Sequence, residues 1–221
     1  MAIRYLLFDL DGTLIDTTDL ILSCYRNSVS RLVENPPTDA EILKGFGRPL
    51  RDQLWRLYPE LRHRIDEMFV LWRNVQEELH DSLIKPFPGT VEVLVELKRR
   101  GYPMGVVTSK ERNTALRGMG LYGLQQLVEP LVCVDDTTNH KPHPEPILRG
   151  IELLGARPEE TLYVGDSLFD MKAGREAGTK VAAALWGPFP KEPLLEYKPD
   201  FALRSIRELL DLCPDLEGPA S

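Results

Sequence analysis

Short apolar runs recur along the 221-residue chain, and most of them end abruptly in polar residues. Runs of this length, rich in branched aliphatic and aromatic side chains, are typical of strands buried on both faces. The predicted strands are residues 4–8, 104–108, 131–134, 161–164, 181–185 and 201–203. Apolar residues at helical spacing fill the intervals and predict helices over 90–100, 111–118, 145–154, 169–177 and 205–212. Strands that alternate with helices predict an α/β fold with a parallel sheet covered on both faces.

The segment 16–84 has a different pattern, because none of it alternates with the period of two that a half-buried strand shows. Its helices are predicted over 16–33, 39–44, 50–57 and 61–80. We therefore predict an all-helical cap domain, 16–84, inserted into a core domain made of 1–15 and 85–221. The last seven residues, 215–221, are expected to fray.

Composition and charge narrow the function. Hydrophobic residues make up 43% of the chain and charged residues 28%, which is ordinary for a globular protein. Asp and Glu number 34 against 27 Lys and Arg, a formal charge of −7. An acidic balance argues against nucleic-acid binding. A polyanionic substrate would therefore need local positive groups or a metal ion.

The three cysteines, Cys24, Cys133 and Cys213, lie far apart and show neither metal-ligand spacing nor a disulfide framework. This usage favours a reducing, cytoplasmic setting. No apolar stretch approaches the roughly 20 residues of a membrane helix, so no membrane association is expected. The chain enters a predicted core strand at once, so no signal peptide is expected either. Oligomeric state is left open between monomer and homodimer.

Two carboxylates, Asp9 and Asp11, follow the first predicted strand. Side chains at positions i and i+2 of a strand point the same way, so these two lie close together. Like charges at such a distance repel, and a shared cation or proton relieves the repulsion. The carboxyl ends of parallel strands are where open α/β sheets bind ligands. The pattern predicts a metal site combined with acid–base chemistry.

Other strands deliver reactive residues at the same rim. Thr108 and Ser109 follow the second core strand, Lys141 lies beyond the third, and Asp166 and Asp170 follow the fourth. Since these strand ends converge, we expect the side chains to meet.

Chemistry then separates the predicted roles. Asp9, Asp166 and Asp170 form an oxygen-rich site that suits Mg²⁺. Lys141 offsets the repulsion between a carboxylate nucleophile and a phosphate. The Thr108 hydroxyl suits phosphate oxygens, as does the Ser109 backbone N–H if it lies at a helix start.

A carboxylate can attack phosphorus to form an aspartyl-phosphate, which is the predicted role of Asp9. Asp11 can protonate the leaving oxygen and then activate water.

These motifs, in this order, resemble those of the haloacid dehalogenase superfamily. The motifs are Asp9-Leu10-Asp11-Gly12-Thr13, Thr108, Lys141 and Gly165-Asp166 with Asp170. The resemblance covers essentially the whole chain. It implies a Rossmann-like core with Asp9 as nucleophile and Asp11 as acid/base. It also implies Mg²⁺ held by Asp9, the Asp11 backbone carbonyl and Asp166, with Asp170 as a further acid of the metal site and with Thr108 and Lys141 on the phosphoryl group.

The resemblance leaves several substrates open. Asp11 indicates phosphate ester or anhydride cleavage, because the dehalogenases and phosphonatases of the superfamily lack an acid there. Longer patterns resemble a bacterial pyrophosphatase group, and phosphoglycolate phosphatases share much of them. A phosphomutase and a non-catalytic binding protein remain alternatives. The predicted specificity residues are Arg48 in the cap, suited to a distal phosphate or carboxylate, and Lys110.

Three tryptophans and two helix starts complete the sequence predictions. Trp55 and Trp72 lie among apolar neighbours and are expected in the cap core. Trp186 either faces the site or simply packs. The sequence also predicts capping of the first cap helix by residues 17–19, and a Ser205 cap for the closing helix.

Overall fold

The computed structural model describes residues 2–216 and contains a six-stranded sheet. Its strands are β1 (Tyr5–Phe8), β4 (Met104–Val107), β5 (Leu131–Val132), β6 (Thr161–Gly165), β7 (Lys180–Ala184) and β8 (Phe201–Leu203). They lie in the order β5-β4-β1-β6-β7-β8, and every pairing is parallel. The predicted α/β class and parallel sheet are confirmed. β1 is central, so the residues that follow it lie in the middle of the carboxyl rim.

Helices cover both faces of the sheet, as the doubly buried strands require. They are α5 (Thr90–Arg99), α6 (Arg112–Leu121), α7 (Glu145–Leu154), α8 (Leu168–Glu176), α9 (Lys191–Glu196) and α10 (Leu209–Leu212). Alternate residues of β1 face opposite layers. Leu7 packs with α7 and α8, whereas Leu6 and Phe8 pack with α5, α6 and α10.

Residues 17–84, called here the helical insert, leave the core after β1. They contain α1 (Thr18–Asn27), α2 (Asp39–Leu43), α3 (Leu50–Leu57) and α4 (Ile65–Leu83), with 3₁₀ turns at Val29–Leu32 and Pro59–Arg64. A two-stranded antiparallel ribbon, β2 (Ile15–Asp16) with β3 (Lys85–Pro86), joins both ends of the insert to the core. The ribbon lies at both predicted domain junctions. The division into 1–15 with 85–221 and 16–84 stays a prediction, and its residues 217–221 lie outside the described part of the chain.

Several predicted element bounds are wrong. The first insert helix ends at Asn27 rather than continuing to 33, because the Ser28 backbone leaves helical geometry and a 3₁₀ turn follows. The apolar spacing continues through that turn, so the pattern alone does not reveal the break. The third strand stops at Val132, where a 3₁₀ turn begins two residues later. The fourth insert helix starts at Ile65 rather than 61, after the turn at Pro59.

The predicted caps are only partly confirmed. No side chain caps α1 from Thr17; instead Asp16 Oδ1 accepts from the Thr18 backbone N–H at 3.1 Å. Ser205 Oγ accepts from the Arg207 N–H as an N-cap should, but of the 3₁₀ turn that precedes α10. At the other end, Leu216 N donates to the Arg100 carbonyl, so this part of the predicted frayed tail is hydrogen-bonded. Residues 217–221 of that tail lie outside the described residues.

The tryptophans differ in burial. Trp72 is buried and packs edge-on against Tyr25, as expected for the insert core. Trp55 is 51% exposed under the Arg62 guanidinium, so its predicted core position is wrong. Trp186 packs against the main apolar cluster, and its Nε1 donates to the Thr13 carbonyl. All three cysteines are free and buried. Among the described helices, none has the length and apolar character needed to cross a bilayer.

Candidate active site at the carboxyl rim of the sheet

Three carboxylates converge at the rim of the sheet. Asp9 directly follows β1, Asp166 directly follows β6, and Asp170 lies in the first turn of α8. One oxygen of each lies within 4.8 Å of the others, and all three residues are buried. Buried like charges at this separation are unfavourable without a compensating cation. The cluster therefore has the donor chemistry of a hard-cation site.

Lys141 supplies one positive charge inside the cluster. Its Nζ donates to Asp9 Oδ1 at 2.9 Å and to Asp170 Oδ1 at 2.7 Å. Burial disfavours the Lys141 charge, but attraction by Asp170 and Asp9 outweighs burial and raises its pKa above the ordinary value. One lysine against three acids leaves a net negative site.

Burial and the uncompensated negative charge raise the pKa of two of the three acids, Asp9 and Asp166. Burial, opposed by Lys141 and reinforced by Asp170, raises the pKa of Asp9 to about 7. Burial and the charges of Asp170 and Asp9 raise the pKa of Asp166 well above its usual range. A bound divalent cation would favour the ionised forms of these carboxyl groups.

The two carboxylate oxygens of Asp166 differ in their hydrogen bonding. Its Oδ1 accepts from the Thr13 hydroxyl at 3.2 Å, whereas its Oδ2 is buried with no hydrogen-bond partner among the described residues. An orphaned buried carboxylate oxygen is costly unless something binds it. This oxygen, together with the oxygen-only donor set, fits Mg²⁺.

Two glycines make room for the Asp166 carboxylate. A Cβ at Gly12, where φ is +86°, would lie 2.4 Å from Asp166 Oδ2. A Cβ at Gly187 would lie 2.4 Å from Asp166 Cβ. Gly12 belongs to the predicted motif; Gly187 does not, and no sequence signal singled it out.

Asp170 is held differently. Its Oδ2 accepts from the Ser167 backbone N–H and hydroxyl, at 3.0 and 2.5 Å, and the Ser167 hydroxyl also caps the first turn of α8. Its Oδ1 lies 3.0 Å from the Tyr163 hydroxyl as well as near Lys141. Both oxygens are thus occupied, so Asp170 fixes Lys141 and the start of α8. Sequence reasoning missed Tyr163; a lone phenol in a strand buried on both faces was the available signal.

A cavity of about 320 Å³ lies between the rim and the helical insert. It reaches Asp9, Asp11 and Thr108 on the core side but not Asp166 or Asp170. Asp9 Oδ1 is taken by Lys141, and Asp9 Oδ2 has no hydrogen-bond partner among residues 2–216. The cavity therefore reaches a carboxylate, Asp9, that still has one oxygen without a hydrogen-bond partner.

Asp11 pairs with Lys110. Lys110 Nζ lies 3.0 and 2.9 Å from the two Asp11 carboxylate oxygens. Lys110, which was predicted to bind substrate, instead contacts Asp11, the predicted acid/base. The Asp11 carboxylate is not part of the three-acid cluster, and the predicted metal contact through its backbone carbonyl stays a prediction.

Ser109 contacts the insert. Its hydroxyl donates to the Gly47 carbonyl at 2.7 Å. Ser109 does not lie at a helix start, because α6 begins at Arg112 with Glu111 as its N-cap, so the expected anion-binding role of its backbone N–H has no helix end to support it. Thr108 is buried, and its Oγ1 accepts from the Lys110 N–H.

Arg48 lines the insert side of the same cavity. Its guanidinium lies over the Phe169 ring, with its carbon atom 4.1 Å from the ring centroid. The structure thus brings all nine predicted site residues to one region: Asp9, Asp11, Arg48, Thr108, Ser109, Lys110, Lys141, Asp166 and Asp170.

Comparisons with known proteins agree with this geometry. The family model for haloacid dehalogenase-like hydrolases matches residues 6–184. The pyrophosphatase PpaX of Anoxybacillus flavithermus is 39% identical over 212 residues, which is 96% of this chain and 97% of that protein. The pyrophosphatase PpaX of Bacillus mycoides is 37% identical over 218 residues, 99% of this chain and 100% of that protein.

A solved structure has the same fold. A crystal structure from Lactobacillus plantarum, described as a "putative phosphoglycolate phosphatase", superimposes with a TM-score of 0.86 at 25% identity. The match covers 96% of this chain and all of that one. The family model spans the motifs from β1 to β7, and the relatives span nearly the whole chain. This protein is therefore a member of the haloacid dehalogenase-like hydrolases.

Proposed function

We propose that this hydrolase is a Mg²⁺-dependent phosphohydrolase that acts through an aspartyl-phosphate on Asp9, with inorganic pyrophosphate as its substrate. One observation carries the proposal: the cavity reaches Asp9 and Asp11 together, with Lys141 bound to the other oxygen of Asp9. A nucleophile and a proton carrier therefore face the same substrate volume.

In the first half-reaction, Asp9 Oδ2 attacks phosphorus and the bond from phosphorus to the leaving oxygen breaks. Asp11 gives its proton to that oxygen, so pyrophosphate would release one inorganic phosphate. Lys141 holds Asp9 Oδ1 and thereby directs the other oxygen. Thr108 lies beside Asp9 in the cavity wall and is suited to a phosphoryl oxygen.

In the second half-reaction, Asp11 takes a proton from water. The resulting hydroxide attacks the phosphorus of the aspartyl-phosphate, the bond to Asp9 breaks, and inorganic phosphate leaves. Asp9 and Asp11 return to their starting states, so the cycle balances.

Asp9, Asp166 and the Asp11 backbone carbonyl would hold the Mg²⁺, with Asp170 adding negative charge across Lys141. When bound, the ion supplies positive charge against the repulsion between Asp9 and the phosphate. The orphaned Asp166 oxygen and the raised pKa of Asp9 support this assignment.

Arg48 supports a substrate with a second anionic group. It lines the cavity, and its guanidinium has no hydrogen bond or ion pair within residues 2–216. The other cavity arginines are neutralised, Arg51 by Asp66 and Arg73 by Glu111. An unpaired guanidinium suits the distal phosphate of pyrophosphate. It suits a carboxylate equally, so phosphoglycolate is the second candidate.

Phosphate release from a substrate panel with Mg²⁺ tests the proposal. The panel contains pyrophosphate, phosphoglycolate, sugar phosphates and nucleotides, and kcat/KM should be highest for pyrophosphate. A preference for phosphoglycolate would change the proposed substrate and leave the proposed reaction mechanism unchanged. No release from any compound, in protein shown to be folded, would overturn the enzymatic proposal.

A further inference from the structure

The loop 46–48 of the helical insert, called here the docking loop, touches the sheet core at three points. The first contact is apolar. Phe46 is 3% exposed and belongs to one buried cluster with Phe169, Met171 and Phe189 of the core. An insert side chain is thus part of the core packing next to α8, which fixes where the loop lies.

The second contact is through the backbone of Gly47. Its φ is +90°, a left-handed conformation that favours glycine, and a Cβ there would lie 2.7 Å from Ser167 Oγ. Its carbonyl accepts from the Ser109 hydroxyl at 2.7 Å. The loop backbone therefore meets the segments that follow both β4 and β6.

The third contact is Arg48 on Phe169. The guanidinium carbon lies 4.1 Å from the ring centroid, a cation–π distance. The Arg48 backbone N–H donates to the Gly45 carbonyl, but the guanidinium makes no hydrogen bond or ion pair within residues 2–216, and Phe169 is its one ring contact there. The stack is therefore what fixes the direction of this half-buried charge at the cavity wall.

Phe169 is a rigid platform. It lies between Leu168 and Asp170 in the first turn of α8, and it is only 8% exposed. Ser167 and Asp170 lock that turn through reciprocal hydrogen bonds. One helical turn thus carries Asp170, which holds Lys141, and the ring that holds Arg48.

We propose that Phe169 is a positioning residue that presents Arg48 to a second anionic group of the substrate, remote from the phosphorus that Asp9 attacks. This inference rests on the proposed function and deepens it. It assigns the substrate class as phosphate compounds whose leaving group is a second phosphate or carries a carboxylate. The ring acts through Arg48 and does not touch the reacting atoms.

The test compares Phe169→Leu, which removes the ring, with Phe169→Tyr, which keeps it. The substrates are pyrophosphate, phosphoglycolate and p-nitrophenyl phosphate, whose leaving group has no second anion. Phe169→Leu should raise KM for the first two about 2- to 30-fold, as loss of a cation–π contact implies. Its kcat should stay within about threefold, because only uniform binding is lost. Phe169→Tyr should behave as the unmodified enzyme.

Two further measurements separate positioning from packing. In a double-mutant cycle, Phe169→Leu should add almost nothing to Arg48→Met, because the ring acts only through Arg48. The matched control is Trp55→Leu, which removes the ring under Arg62 at the surface, where the guanidinium carbon lies 3.7 Å from the ring centroid. This control should leave KM unchanged.

Three results would overturn the proposal. They are an unchanged KM for pyrophosphate in Phe169→Leu, an equal rise for p-nitrophenyl phosphate, and additivity with Arg48→Met. Calorimetric binding of pyrophosphate to Asp9→Asn with Mg²⁺ provides a readout that needs no turnover. If no substrate turns over but Phe169→Leu still weakens this binding, the enzymatic proposal fails and the positioning role stands. If binding is unaffected as well, both fail.

Discussion

The two walls of the cavity hold their charges in different ways. On the sheet side, buried Lys141 binds two buried carboxylates, Asp9 and Asp170. On the insert side, Arg48 is half-buried and rests on one aromatic ring. A buried network loses several contacts when one member changes, whereas a half-exposed cation loses one. We therefore expect substitutions at the rim to abolish the reaction. Substitutions in the insert should instead change which substrate binds.

The largest expected effect is that of Asp9→Asn. An amide cannot form the aspartyl-phosphate, so phosphate release should fall at least about 10⁴-fold. Steady-state phosphate release measures this loss, and circular dichroism checks folding. Asp19→Asn, an exposed position on α1, is the control and should keep full activity. Full activity in folded Asp9→Asn would contradict the nucleophile assignment.

Metal binding should stabilise the rim. Mg²⁺ at 100 times its Kd should add about 2.7 kcal/mol to the free energy of unfolding, or about 5–10 °C in Tm. Asp166→Asn removes one charge and weakens the oxygen donor set, so most of this shift should disappear. Thermal melts with and without Mg²⁺, at one ionic strength, measure it. An undiminished shift in the variant would place the ion elsewhere.

Arg48→Met should affect binding and leave the chemistry intact. Loss of one half-exposed, charge-assisted contact of about 1.5 kcal/mol raises KM for pyrophosphate about tenfold at similar kcat. Arg62→Met at the surface is the matched control. A fall in kcat with an unchanged KM would mean that Arg48 acts in the chemical step and not in substrate recognition.

The smallest effect is expected where the two walls touch. Ser109→Ala removes the hydrogen bond to Gly47, worth about 1 kcal/mol, and should raise KM about fivefold at most. Ser82→Ala removes a comparable hydroxyl bond, to the Leu79 carbonyl in α4, and serves as the control. A larger change than that of Arg48→Met would mean that loop docking, rather than the Arg48 charge, controls recognition.

The grouping of site residues at the rim was predictable from sequence, because these residues directly follow parallel strands. Once Asp9 and Asp166 are placed after parallel strands, their approach follows from the topology alone. The same holds for Thr108 after β4. The fold class was accessible for the same reason, since apolar runs of strand length alternate with helical spacing.

What escaped prediction depends on contacts between distant segments. Nothing in the local sequence says that Arg48 meets Phe169, or that Gly187 lies against Asp166. Lys110 and Ser109 follow β4 as expected, yet their partners, Asp11 and Gly47, come from the segment after β1 and from the insert. The break at Ser28 was hidden because residues 29–32 keep apolar spacing in a 3₁₀ turn.

Gly187 has a consequence for engineering this enzyme. It follows β7, outside every recognisable motif, yet any side chain there would overlap Asp166 and the Gly12 carbonyl. A saturation library at Gly187 should return glycine alone among active clones, although the position looks like an ordinary surface turn. Mutant libraries meant to broaden the substrate range should keep residue 187 as glycine and vary residues of the helical insert.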